Sequence, residues 1–179
     1  MVIQSLAVFC GSKNGANPLY TEHAAQLGLL MADHNISLVY GGGRVGLMGA
    51  IADEVMLQGG KVIGVIPEVL VAWERQHTGL TELFIVDNMH TRKKKMYDLV
   101  DAAVILPGGF GTLDELFEMV TWNQLSIHDK QIFILNSGGF YQHLTAHIKK
   151  MQEEGFLYDA AVNRIITVNE PGELREYLK

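Results

Sequence analysis

The stretch Pro107-Gly108-Gly109-Phe110-Gly111-Thr112-Leu113-Asp114-Glu115 lies between an apolar run at 102–106 and a helix-like run at 113–125. A short apolar strand, a glycine turn and a helix start bring unpaired backbone N–H groups and the positive end of a helix dipole to one point. Such a point binds phosphate. Gly108, Gly109 and Gly111 let the backbone come close to an oxyanion, but the turn ends in Asp114 and Glu115 where a Walker A loop carries Lys and Ser/Thr. Phosphate binding is indicated; ATP handling by that device is not.

The same rhythm recurs outward from this turn. Residues 3–10 hold Leu6-Ala7-Val8-Phe9-Cys10 and predict a buried strand ended by Gly11-Ser12. Asn17-Pro18 opens a helix to about residue 34, with Ala24, Leu27, Leu30 and Met31 at helical spacing. Strand 36–40 ends in Gly41-Gly42-Gly43, a helical pattern runs to about 58, and strand 61–66 follows the turn Gly59-Gly60. The stretch 67–77 is the least regular, with Trp73 and Glu74 in a short helix or lid. Further strands are expected at 83–86, 102–106, 131–135 and 164–168, helices at 89–100, 112–125 and 140–153, and a last helix after Glu170-Pro171. The alternation predicts an α/β fold: a Rossmann-like, doubly wound, mainly parallel sheet of about seven strands with helices on both faces. Ligands then gather at the carboxyl ends of the strands, and all three glycine turns fall on that edge.

Composition narrows the function. A chain of 179 residues is long enough for one domain with a full core, so 1–179 is expected to be a single domain. With 48% hydrophobic and 19% charged residues, broad disorder is excluded. The net charge of −6 argues against a nucleic-acid binder, so any phosphate is bound locally. Cys10 is the only cysteine, which rules out an internal disulfide and a thiolate zinc site. The histidines offer one i,i+4 pair, His143 and His147, without the glutamate of a metalloprotease helix, so no metal is assigned. The amino end lacks a basic leader and no apolar run approaches membrane-spanning length, which points to a cytoplasmic protein. The run Gly43-Arg44-Val45-Gly46-Leu47-Met48-Gly49 is mis-spaced for a dinucleotide fingerprint and lacks the acidic residue after the next strand, where Val65-Ile66-Pro67 stands.

Upstream of the opening stretch stands Met89-His90-Thr91-Arg92-Lys93, and the pair closely resembles the signature of the Lonely Guy (LOG) family. These are the cytokinin riboside 5′-monophosphate phosphoribohydrolases, often labelled lysine decarboxylases. Gly11-Ser12 and Gly41-Gly42-Gly43 also fit, so the resemblance covers nearly the whole chain. It implies hydrolysis of the N-glycosidic bond of an N6-substituted AMP or of AMP, without a cofactor, by a homodimer whose active site lies near the subunit contact. It matches Arg92 to the catalytic arginine and Glu115 to the essential glutamate. It places Gly11, Ser12, Gly42, Gly43, Glu74, Met89, Lys93, Thr121 and the motif residues 107–114 in the substrate site.

The residues alone leave alternatives. At ~100° per residue, helix 89–100 puts Met89, Met96 and Val100 on one stripe, with Lys93 near it and Arg92 on its flank. A cation beside a core stripe needs an anion or a route to water, whereas Lys94 and Lys95 fall on the solvated side. Arg92 stays protonated and so suits pairing with a phosphate or orienting Glu115 better than donating a proton. Thr112-Leu113-Asp114-Glu115 reads as a capping box, which on the residues alone is the favoured role of Glu115; the resemblance favours catalysis instead. Asp114 reads as a helix-dipole or pocket residue. Two other functions stay in view: a nucleotide-binding module without catalysis, and a decarboxylase, which needs a Schiff-base lysine for pyridoxal phosphate.

Overall fold

The computed structural model describes residues 2–71, 76–158 and 162–178. Seven strands, β1 Ser5–Phe9, β2 Ser37–Tyr40, β3 Val62–Pro67, β4 Glu82–Val86, β5 Ala102–Ile105, β6 Gln131–Leu135 and β7 Ile165–Val168, form one sheet in the order β4-β3-β2-β1-β5-β6-β7. All pairings in it are parallel. The helices are α1 Leu19–Asp33, α2 Gly46–Leu57, α3 Met89–Asp98, α4 Phe110–Gln124 and α5 Gln142–Glu153. Among the described residues no helix is long and apolar enough to cross a membrane.

The central strands are apolar on both faces, as a sheet covered on both sides requires. Alternate residues therefore feed two cores. Leu6 and Val8 of β1, with Leu38 and Tyr40 of β2, pack with Leu27 and Met31 of α1 and Ile51 and Val55 of α2. Ala7 and Phe9 point the other way, into a core with Met96 and Tyr97 of α3, Leu116 and Met119 of α4 and Ile148 of α5. The chain winds outward from β1 to β4 and then returns to lay β5 against β1. That reversal opens a crevice at the carboxyl ends of β1 and β5. The pairing continues just past the strands, with Leu106 N–H donating to Phe9 O at 2.9 Å and Gly11 N–H to Pro107 O at 3.0 Å.

Several boundaries move for local reasons. Pro18, which has no N–H to offer, caps α1 from outside, and Asn17 Oδ1 accepts from Leu19 N–H. The start of α5 is delayed to Gln142 by a 3-10 turn at Ser137–Gly139, in which Gly138 has φ 56°. The final helix, Pro171–Glu176, is 3-10 and carries a capping box between Glu170 and Glu173.

α3 and α4, which carry the candidate catalytic residues, are tied by a bridge. Buried Lys93 donates to Asp114 Oδ2 and Glu118 Oε1, both at 3.0 Å, and Tyr97 donates to Glu118 Oε2 at 2.8 Å. Burial by itself lowers the Lys93 pKa, but the hydrogen bonds and charges of Asp114 and Glu118 outweigh it and leave the pKa raised. Burial and the bond to Glu118 push the Tyr97 phenol far above its ordinary range. Because Lys93 titrates higher in the folded chain than in the unfolded one, its contribution is complete below about pH 10 and is lost as pH rises through the folded value. Lys93→Met is expected to cost about 1–3 kcal/mol in urea unfolding at neutral pH, since both carboxylates retain some access to water. The gap to wild type should then narrow in strongly alkaline buffer.

Candidate functional site

A cleft of about 320 Å³ opens over the carboxyl ends of β1 and β2 beside the amino end of α4. Its floor is Val8, Phe9 and Cys10; Gly11, Ser12 and Gly41 form one rim, and Gly109, Phe110, Gly111 and Thr112 another. The helix α4 begins at Phe110, with Gly109 as its N-cap in an extended conformation. The first amides of α4 therefore belong to the rim itself, where the dipole favours an anion. Gly108 is required by packing: a Cβ there would lie 2.1 Å from Thr112 Oγ1 and 2.9 Å from Gly11 N.

This start overturns the capping box at Thr112 and Glu115. Thr112 is the third helical residue and Glu115 lies in the second turn, so neither stands where a cap must stand. The apolar run suggested a helix from 112, but the glycines join it, because α4 needs no side-chain cap where its amides face a cleft. Glu115 is instead a buried carboxylate, 9% exposed, that lines the cleft.

Arg92 reaches the same cleft from α3, whose amino end is capped by Asn88 Oδ1 accepting from Thr91 N–H at 2.9 Å. Arg92 is 5% exposed, with Nε donating to Val65 O and Nη2 to Gly41 O, each at 3.0 Å. The residue that follows β2 and an inner residue of β3 beside it thus hold the cation. Met89 packs beside it, with Sδ 3.8 Å from Nη1, and also lines the cleft.

Of the expected site residues, Gly11, Ser12, Met89, Arg92, Gly109, Phe110, Gly111, Thr112, Asp114 and Glu115 converge on this cleft. Pro107 and Gly108 border an adjoining one of about 350 Å³, which shares Gly11, Ser12 and Gly109 with the first. The other residues stand elsewhere. Lys93 gives its ammonium to Asp114 and Glu118. Leu113 packs against the second core. Gly42 turns the chain at φ 79° and accepts from His77 N–H, while Gly43 bridges to Gln76, so both anchor the last residues of the irregular stretch. Thr121 donates to Phe117 O at 2.7 Å and borders a separate apolar groove between α4 and α5. Glu74, like Trp73, lies outside the described residues. Gly41 and Met48 line the cleft and were not among the expected site residues, although the end of strand β2 was a signal for Gly41. Among the described residues no group of three or more His, Cys, Asp or Glu is placed to hold a metal ion.

Comparison with known proteins agrees with this picture. Residues 48–178 match the family model described as "Possible lysine decarboxylase". The chain is 44% identical over 183 residues to a probable cytokinin riboside 5′-monophosphate phosphoribohydrolase of Oryza sativa subsp. japonica, covering 100% of this chain and 75% of that protein. It is also 44% identical to the cytokinin riboside 5′-monophosphate phosphoribohydrolase of Rhodococcoides fascians, over 91% of this chain and 83% of the relative. Among solved structures, the molybdenum cofactor binding protein of Rippkaea orientalis superposes with a TM-score of 0.75 at 22% identity, covering 99% of this chain and 96% of that one. A Moco carrier protein from Chlamydomonas reinhardtii does so with a TM-score of 0.71 at 16% identity, covering 97% and 94%. At such identities the likeness concerns the fold. The sequence relatives and the family model go further: this chain belongs to the Lonely Guy family of cytokinin riboside 5′-monophosphate phosphoribohydrolases.

Proposed function

We propose that the cleft hydrolyses the N-glycosidic bond of a nucleoside 5′-monophosphate, either an N6-substituted AMP or AMP itself, to give the free base and ribose 5-phosphate. The observation that carries this reading is the meeting of the α4 amino end, Arg92 and Glu115 in one cleft of a chain whose relatives bear that activity in their names. The amides of Gly109 to Thr112 anchor the 5′-phosphate, and this remote binding energy holds C1′ in place for reaction. At ~1.5 Å rise per residue, Glu115 stands roughly 7 Å along the helix from Phe110, which keeps its carboxylate off the phosphate and beside the ribose. Water adds to C1′ as the bond to the base breaks and the base leaves with a proton. Glu115 stabilises the oxocarbenium-like centre or orients the water, as carboxylates do in glycoside hydrolysis. Arg92 acts as a fixed cation and hydrogen-bond donor, since a guanidinium does not give up its proton.

The decarboxylase reading needs a lysine to hold pyridoxal phosphate as a Schiff base, and among the described residues no lysine lines the cleft. Lys93, next to Arg92 in the chain, is engaged with two carboxylates, and Lys13, next to Ser12, borders the adjoining cleft.

The reading includes a homodimer formed through α4. Phe110, Phe117 and Leu125 are exposed, and with Asp114 and Thr121 they form a stripe at helical spacing along one face. Solvent-facing phenylalanines on one stripe mark a contact surface. Antiparallel packing of two α4 helices carries Thr121 towards the cleft of the second copy, which accounts for its place outside the cleft of its own chain.

Wild type is expected to release free base from AMP or isopentenyladenosine monophosphate and to leave the matching nucleosides intact. Arg92→Ala and Glu115→Gln should each lower kcat by about 10²–10⁴-fold while remaining folded. A wild-type protein that binds both nucleotides and cleaves neither would instead be a binding module. For the assembly, light scattering should give a dimer for wild type and a monomer for Phe117→Glu.

A further inference from the structure

Gly41 is the first glycine after β2, and its backbone does not require glycine: it is absent from the positive-φ positions, unlike Gly42 at φ 79°. What it needs is space. A Cβ built on Gly41 would lie 2.0 Å from Arg92 Nη2 and 3.2 Å from Arg92 Cζ, with Met48 Sδ next at 3.0 Å. The same residue offers its carbonyl to Nη2 at 3.0 Å, so the tip of the guanidinium abuts a bare stretch of backbone and is held there by it.

We propose that Gly41 is a positioning residue for the reaction: its missing side chain is the seat of the Arg92 guanidinium. The proposal rests on the reading of Arg92 as the cation that acts on the nucleotide. It sets Gly41 apart from the glycines of the helix α2 that follows. A Cβ on Gly46 would meet backbone, Lys13 N and Ser12 C, at 2.3 Å, and one on Gly49 would meet Arg44 O at 2.3 Å; there the fold itself must shift. At Gly41 both obstacles are the ends of flexible side chains, and the one that must move furthest is Arg92. The substitution Gly41→Ala therefore leaves the sheet intact and displaces the guanidinium from both the Gly41 and the Val65 carbonyls.

The test is a double-mutant cycle of Gly41→Ala and Arg92→Ala, read by kcat for base release from AMP, by thermal melting, and by the ¹⁵N resonance of the Arg92 Nε–H, identified by its loss in Arg92→Ala. Gly41→Ala is expected to melt cooperatively near wild type, to shift or lose the Nε–H signal, and to lower kcat about a hundredfold, the scale on which misplacement of a catalytic group is felt. In the Arg92→Ala background it should cause no further loss of kcat. An unchanged Nε–H signal, an equal proportional loss in both backgrounds, or failure of Gly41→Ala to fold would each overturn the proposal. Should wild type release no base, the hydrolase reading falls while the resonance still decides whether Gly41 seats Arg92.

Discussion

Burying a guanidinium is costly, and the arrangement of the site follows from how that cost is met. Arg92 is 5% exposed, and removing a cation from water costs several kcal/mol unless its donors are bonded. The bonds come from main-chain carbonyls on two neighbouring strands, Gly41 just beyond β2 and Val65 level with it within β3. The shorter β2 leaves this edge open to the cation. The charge therefore sits where the winding of the chain also opens its crevice, beside the β1 and β5 ends.

The second half of the site depends on α4. Its amino end offers amides to an anion at the cleft rim, while Glu115 enters a turn and a half further along, so one rigid helix presents a donor surface and a carboxylate at a set separation. Helix α3 carries the cation, and the bridge from Lys93 to Asp114 and Glu118 fixes one helix against the other. Two like charges on α4 facing a bound phosphate would be unfavourable. Lys93 pairs with Asp114, the one nearer the helix start, and so offsets part of its charge.

Much of this was legible in the sequence. The continuous apolar strands and the glycine turns after them specify a parallel sheet and its functional edge, and the order of elements follows. Arg92 and Glu115, singled out by their motifs, both line the cleft. The role of Thr112 and Glu115 as a cap was misread because a capping box is defined by spacing from the helix start, and that start was set two residues late. Glycine at 109 and 111 suggested loop, but the helix accepts Gly111 in its first turn when its amides face an open cleft. Gly41, Gly42 and Gly43 look alike in sequence, yet one seats a side chain and two turn the chain toward Gln76 and His77. The resemblance placed Lys93 at the nucleotide; its pairing with Asp114 and Glu118 on a different helix lies at a distance in the chain that no local pattern encodes.

In the proposed reaction phosphate and ribose occupy one cleft in a fixed order along α4. A crystal structure of Glu115→Gln, soaked with AMP to trap the uncleaved nucleotide, locates both. The 5′-phosphate is expected on the amides of Gly109 to Thr112 and C1′ between Arg92 and residue 115. A phosphate paired with Arg92, with the base at the α4 amino end, would contradict it.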